Sequence, residues 1–211
     1  MSTLHRHIFT ILLAGFFLLS AGMIRTAEGQ QVNFGMHAGD GLMLTPLVPD
    51  HLHFGDMFSN EGTVQIDLND NEAVPIEIEG VAYLDVTVTL TPPTGDELVL
   101  EGNTEYVGDA NRSMPVNIRM AYYNKGQENI SEADAKTQAV EVVGNSITFQ
   151  IRRRPGGPPG PPPAPPHSGY TPPTAKAYLY IYGELEVGNV HAGPYSGMMN
   201  VHVEYTTYQE N

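Results

Sequence analysis

Apolar and polar residues alternate with a period of two along most of the chain. Val64, Ile66 and Leu68 oppose Gln65 and Asp67, and Leu84, Val86, Val88 and Leu90 oppose Asp85, Thr87 and Thr89. Successive side chains of a strand point to opposite faces, so this pattern predicts strands with one buried face. The same reading places strands at 52–54, 74–78, 97–100, 114–123, 146–152 and 176–187. A closing strand follows, with Met199, Val201, Val203 and Tyr205 on one face and Asn200, His202 and Glu204 on the other. Turn formers separate the runs, among them Asn69, Asp70 and Asn71, and Pro92, Pro93 and Gly95. Alternating strands spaced by turns predict an all-β fold, an antiparallel immunoglobulin-like β-sandwich, rather than a βαβ arrangement.

One segment has helical character: Ser131 is a suitable N-cap, with Glu132 and Asp134 in the turn that follows. It lacks the apolar stripe of a core helix, so it reads as a decoration of the sheet. Between the strand-like runs at 146–152 and 176–187 lies a proline-rich loop, 155–173. Two Gly-Pro-Pro triplets in phase are too few for a collagen helix, and extended polyproline II is the expected conformation. A long loop protruding between two paired strands is the simplest account, because closure entropy grows slowly with loop length. Presentation to an aromatic-lined groove is the functional alternative.

The start of the chain follows a different pattern. Arg6 lies between His5 and His7, the apolar run 8–19 follows, and the small residues Ala27 and Gly29 flank Glu28. This predicts a signal peptide over 1–29, with the mature chain beginning at Gln30; Ser20, Ala21 and Gly22 offer an earlier cut, and a retained N-terminal anchor is the competing reading. The apolar run is shorter than the roughly 20 residues that span a bilayer, so no transmembrane segment is expected after cleavage. Residues 30–49 form an N-terminal extension or first strand, and 50–208 a single domain.

Composition narrows the partners. With 10 Lys+Arg against 24 Asp+Glu the formal net charge is −14, which repels phosphate backbones and argues against nucleic acid. The chain contains no cysteine, so disulfides, thiolate metal sites and thiol catalysis are all excluded. An exported domain without disulfides relies on core burial and points to a bacterial source.

Candidate chemistry is sparse. His51 and His53 share a strand face beside Asp50 and Asp56, a spacing compatible with zinc but short of its four ligands. Asp67, Asn69 and Asn71 carry oxygen ligands at calcium-like density, although the pattern departs from an EF-hand at Glu72 and Ile78. A polar face and a polar turn are the competing readings of these two clusters. The zinc-protease, serine-hydrolase, phosphate-loop and dinucleotide signatures are absent, so no catalytic residue, metal or cofactor is assigned and the chain reads as a non-enzyme. Tyr178, Tyr180 and Tyr182 oppose Leu179 and Ile181. If the aliphatic face is the core, the tyrosines form an exposed interaction ladder; otherwise they pack within the sheet or the core.

Leu52-His-Phe-Gly55, Gly62-Thr-Val-Gln-Ile66, Gly80-Val-Ala-Tyr-Leu-Asp-Val-Thr-Val-Thr-Leu90 and the closing segment from Ala192 to Tyr205 resemble the domain of unknown function 4402 family. The resemblance covers about residues 50–206 and implies an exported bacterial β-sandwich, with the proline-rich loop as an insertion. The closing strand is also similar to pilin-like and spore-coat-U-like subunits, which implies assembly by donor-strand exchange. The segment able to act as donor carries Val32, Phe34 and Met36 on one face; the alternative is a first strand of its own sheet or a disordered leader. The functional expectation is thus a secreted, periplasmic or cell-surface non-catalytic module, structural or interacting with a protein partner or itself. A pilus-like subunit is the first alternative, and a calcium-dependent or carbohydrate-binding module the second.

Overall fold

A computed structural model describes residues 26–48, 51–102, 106–125, 131–152 and 173–206. They form an all-β structure in which twelve strands join one mixed, curled sheet. In chain order the strands are β1 (Thr26–Ala38), β2 (Met43–Pro46), β3 (His51–Phe58), β4 (Gly62–Ile66), β5 (Val74–Val81) and β6 (Asp85–Thr91). They continue with β7 (Glu97–Leu100), β8 (Ser113–Tyr123), β9 (Val140–Glu141), β10 (Ser146–Gln150), β11 (Thr174–Val187) and β12 (Tyr195–Tyr205). A single α-helix among the described residues, α1 (Glu132–Lys136), lies between β8 and β9. Ser131 caps it, its hydroxyl accepting from Asp134 N.

The sheet has two limbs. In one, the order is β3-β1-β12-β6-β10; in the other, β9-β8-β11-β5-β2, with β4 continuing the β5 edge of β11. β7 joins them by pairing with β12 on one side and with the first residues of β8 on the other. Inward side chains of both limbs form one core, with Val32, Leu52, Val88, Met199 and Val201 meeting Ile76, Ile78, Met120, Leu179 and Ile181. The alternation read from β6 and β12 is the burial pattern observed: Val86, Val88, Leu90, Met199, Val201 and Val203 are buried between partly or fully exposed neighbours.

Two expectations are corrected, and of the two readings of the tyrosines the packed one holds. One pairing departs from an antiparallel sheet, because β1 runs parallel to β12 from Gln30 opposite Tyr195 to Ala38 opposite Val203. The proline-rich loop 155–173 lies outside the described residues except for Pro173, and its flanking strands are not partners of each other. β10 pairs with β6, whereas β11 pairs with β4, β5 and β8, so the two flanking strands belong to different limbs. The exposed tyrosine ladder is not formed. Its tyrosines do lie opposite the aliphatic face, but Tyr180 and Tyr182 are buried and Tyr178 half-buried. The cover includes α1: Ala135 is fully buried, and the Tyr180 hydroxyl donates to Glu132 O at 3.1 Å. Burial raises the phenol pKa of all three.

Residues 30–48 are integral to this architecture, since β1 and β2 belong to opposite limbs. The turn between them carries the chain across: Gly39 N donates to Val203 O at 2.8 Å, Leu42 N donates to Gly39 O at 3.1 Å, and Gly41 takes a φ of 78°. Such a φ is costly for any side chain with a Cβ.

Candidate functional site: the slot of the N-terminal strand and the adjoining seam

β1 is held on both edges. Along one it pairs with β12, and along the other with β3, where Gln31, Val32 and Asn33 face His53, Leu52 and His51. Period-two alternation turns Val32 and Phe34 into the core, at 0% and 8% exposure, with Met36 packed against it. Asn33, Gly35 and His37 therefore project from the opposite face. Gly35 has a local reason: Asn200 Oδ1 lies where a Cβ on that residue would be, so the Asn200 side chain covers the strand at this point.

At the start of the slot sits Gln30, the one fully buried polar residue among those described. Its Nε2 donates to Gly193 O at 3.5 Å, while its buried Oε1 has no hydrogen-bond partner. Gly29 precedes it with a φ of 70°, and the pairing with β3 shifts register on both sides of Gln30.

Beside the slot, β3 and β4 leave a seam between the limbs. Among the described residues β3 pairs only with β1, and β4 only with β11. A groove of about 310 Å³ opens there, lined by Phe54, Val64 and Ile66 with His53, Gln65, Asp70 and Glu72 at its polar parts. It brings His53 toward the 67–72 turn, a proximity that linear spacing hides.

Local hydrogen bonds occupy much of the ligating capacity of both expected clusters. His53 Nδ1 accepts from Gly55 N at 3.2 Å, which places the proton of the neutral ring on Nε2 and leaves no lone pair for a metal. His51 meets the His53 ring edge-on, with centroids 6.2 Å apart. Asp50 lies outside the described residues, and Asp56 accepts from Gly29 N at 3.3 Å. In the turn, the Asp70 carboxylate accepts from Asp67 N at 2.7 Å, Gln65 donates to the Asp67 carboxylate, and Lys136 Nζ donates to Asp70 O at 2.6 Å. Asn69 and Asn71 are exposed on the same turn. Among the described residues no three His, Asp or Glu side chains gather closely enough to hold a metal.

A further polar cluster has no counterpart in the sequence reading. His191 Nε2 and Asp109 Oδ2 are 3.0 Å apart, Tyr106 stacks on the His191 ring at 3.9 Å, and the buried Tyr195 hydroxyl bonds His191 O at 2.9 Å and Asn111 O at 3.2 Å. Donation from Asn111 N, then from His191, holds the Asp109 carboxyl below its usual range. The cluster clamps the start of β12 to the 106–112 segment. Its members are 82 positions apart in the chain, and no local signal joins them.

No protein-family model matches the chain, and no curated protein is significantly similar to it. No helix among the described residues is long and apolar enough to cross a membrane.

Proposed function

We propose that the chain is an exported bacterial protein with an immunoglobulin-like β-sandwich fold akin to the domain of unknown function 4402 family. It acts without catalysis, in the periplasm or at the cell surface, as a structural or interaction module. Its assembly element is β1. The observation that supports this reading is the seat of that strand: an N-terminal segment occupies a slot between β3 and β12 and inserts Val32 and Phe34 into the core.

A slot filled by main-chain pairing and alternate side chains accepts the same strand from a second copy equally well. The glycine-bearing turn at 39–42 is the hinge about which β1 would leave its own sheet. In the closed chain the tether holds β1 at high effective concentration, so exchange requires transient opening or crowding of copies.

The test compares the full mature chain with one lacking 30–38, each partly unfolded and returned to native buffer at high concentration. Light scattering should show higher-order species for the full chain only, and an added peptide of residues 30–38 should convert the shortened chain into a folded monomer. Identical species from both chains would remove β1 from the assembly.

A further inference from the structure

Two independent features coincide at Gln30. In the sequence, Ala27 and Gly29 occupy the small-residue positions that a leader peptidase reads, which makes the Gly29–Gln30 bond the expected cut. In the structure, pairing on both edges of β1 begins at Gln30, opposite Tyr195 of β12 and Gly55 of β3; upstream, Thr26 and Ala27 pair with β3 alone, in the register of Gln31 to Asn33, and Gln30 is the residue out of step.

Cleavage there creates a chemical difficulty. The new α-amino group would be an ammonium on a residue that is fully buried in the uncut chain, and burying a charge is strongly disfavoured unless it is paired. The same residue already buries an amide whose Oε1 lacks a partner and whose Nε2 makes one long bond of 3.5 Å to Gly193 O. An N-terminal glutamine can relieve both, because its amine reaches its own side-chain amide through a five-membered ring.

We infer that Gln30 is the mature N-terminus and a modification site, at which the residue closes to pyroglutamate. The neutral amine nitrogen attacks Cδ and forms the N–Cδ bond. The Cδ–Nε2 bond breaks, the amine proton passes to the departing nitrogen, and ammonia leaves; nothing is oxidised or reduced. The product is an uncharged lactam. It keeps one N–H at the position of the backbone donor, keeps the Cδ carbonyl, and gives up only the amide nitrogen bound weakly to Gly193. The strand can then start in a buried position without a charge. Asp56, whose carboxylate accepts from Gly29 N at 3.3 Å, loses that donor when the leader is removed.

The inference rests on the export reading, and intact mass spectrometry of protein recovered from the exported fraction of its bacterial host separates the two. The expected mass is that of residues 30–211 less one ammonia, with an N-terminus closed to Edman degradation. A chain beginning at Gln30 with its ammonia retained and its amine free overturns the inference and leaves export standing. A mature chain beginning elsewhere does the same. An uncleaved chain of 211 residues overturns both. Gln30→Asn, which cannot close a five-membered lactam in this way, should keep its full mass; the same loss of ammonia from this variant would place the reaction elsewhere and overturn the assignment.

Discussion

At the scale of single residues, the polar side chains that matter most join segments distant in sequence. Tyr205 ends β12, and its hydroxyl accepts from Val81 N at 2.8 Å and donates to Gly41 O at 3.2 Å, linking the end of β5 to the turn after β1. Gly80 makes room for it, since a Cβ there would stand 2.7 Å from that oxygen. Tyr205→Phe leaves a partly buried donor and a carbonyl without their partner, and should cost about 1–2 kcal/mol. In urea denaturation the midpoint should fall while the slope stays constant; an unchanged midpoint would show that water replaces the hydroxyl in full. Two carboxylates set the response to acid. Asp109 is held below its ordinary range by donation from Asn111 N and His191, and Glu184 by the amide of Asn117 and then by Arg119. Each binds its proton at lower pH when folded than when unfolded. Their contribution is therefore complete above the unfolded value of about 4 and is lost as pH falls through the depressed folded value. Thermal midpoints should drop below about pH 4, and the drop should be shallower in Asp109→Asn/Glu184→Gln. Equal acid slopes in the two proteins would assign the loss to other groups.

At the scale of elements, what could be read from the sequence depended on how unequal the two faces of a strand are. β6 and β12 bury one face and expose much of the other, so alternation in the sequence is alternation in the fold. β2 escaped notice because it is a four-residue edge strand with no buried side chain, and Met43 and Leu47 stay exposed on it and just beyond it. β9, two exposed residues long, carries no pattern at all. The facing of the Tyr178 to Tyr182 series was legible, and its burial was one of two readings that the sequence left open. The cover that includes α1 presents Ala135 to β11, and a single alanine gives no amphipathic signal. The direction of β1 was equally hidden. Alternation is the same whether a strand runs parallel or antiparallel, and only the distant position of β12 decides it. The candidate site followed the same rule: Val32, Phe34 and Met36 were readable as one face, whereas the seam that joins His53 to Asp70 and Glu72 depends on two edge strands meeting across limbs.

At the scale of the whole molecule, the first and last described strands are neighbours, so the limb β3-β1-β12-β6-β10 is complete only when both are present. β12 pairs with β1 along one edge and with β6 and β7 along the other, and its Tyr195, Met199, Val201 and Val203 are all 0% exposed. Burial of each such side chain contributes about 1.5–3 kcal/mol, and removing the strand also uncovers Val32, Val88 and their neighbours. The combined loss is comparable with the whole stability of a domain, about 5–15 kcal/mol. A chain ending at Gly193 should therefore fail to fold, giving no cooperative thermal transition and rapid cleavage by a broad-specificity protease. The full chain should refold slowly, on the millisecond to second scale common for folds dominated by long-range pairing. Retention of a cooperative transition by the shortened chain would mean that the second limb, with β5, β8 and β11, carries its own core. In that case β1 and β12 would be an appended pair rather than part of one shared core, and exchange of β1 between copies would leave the rest of the fold standing.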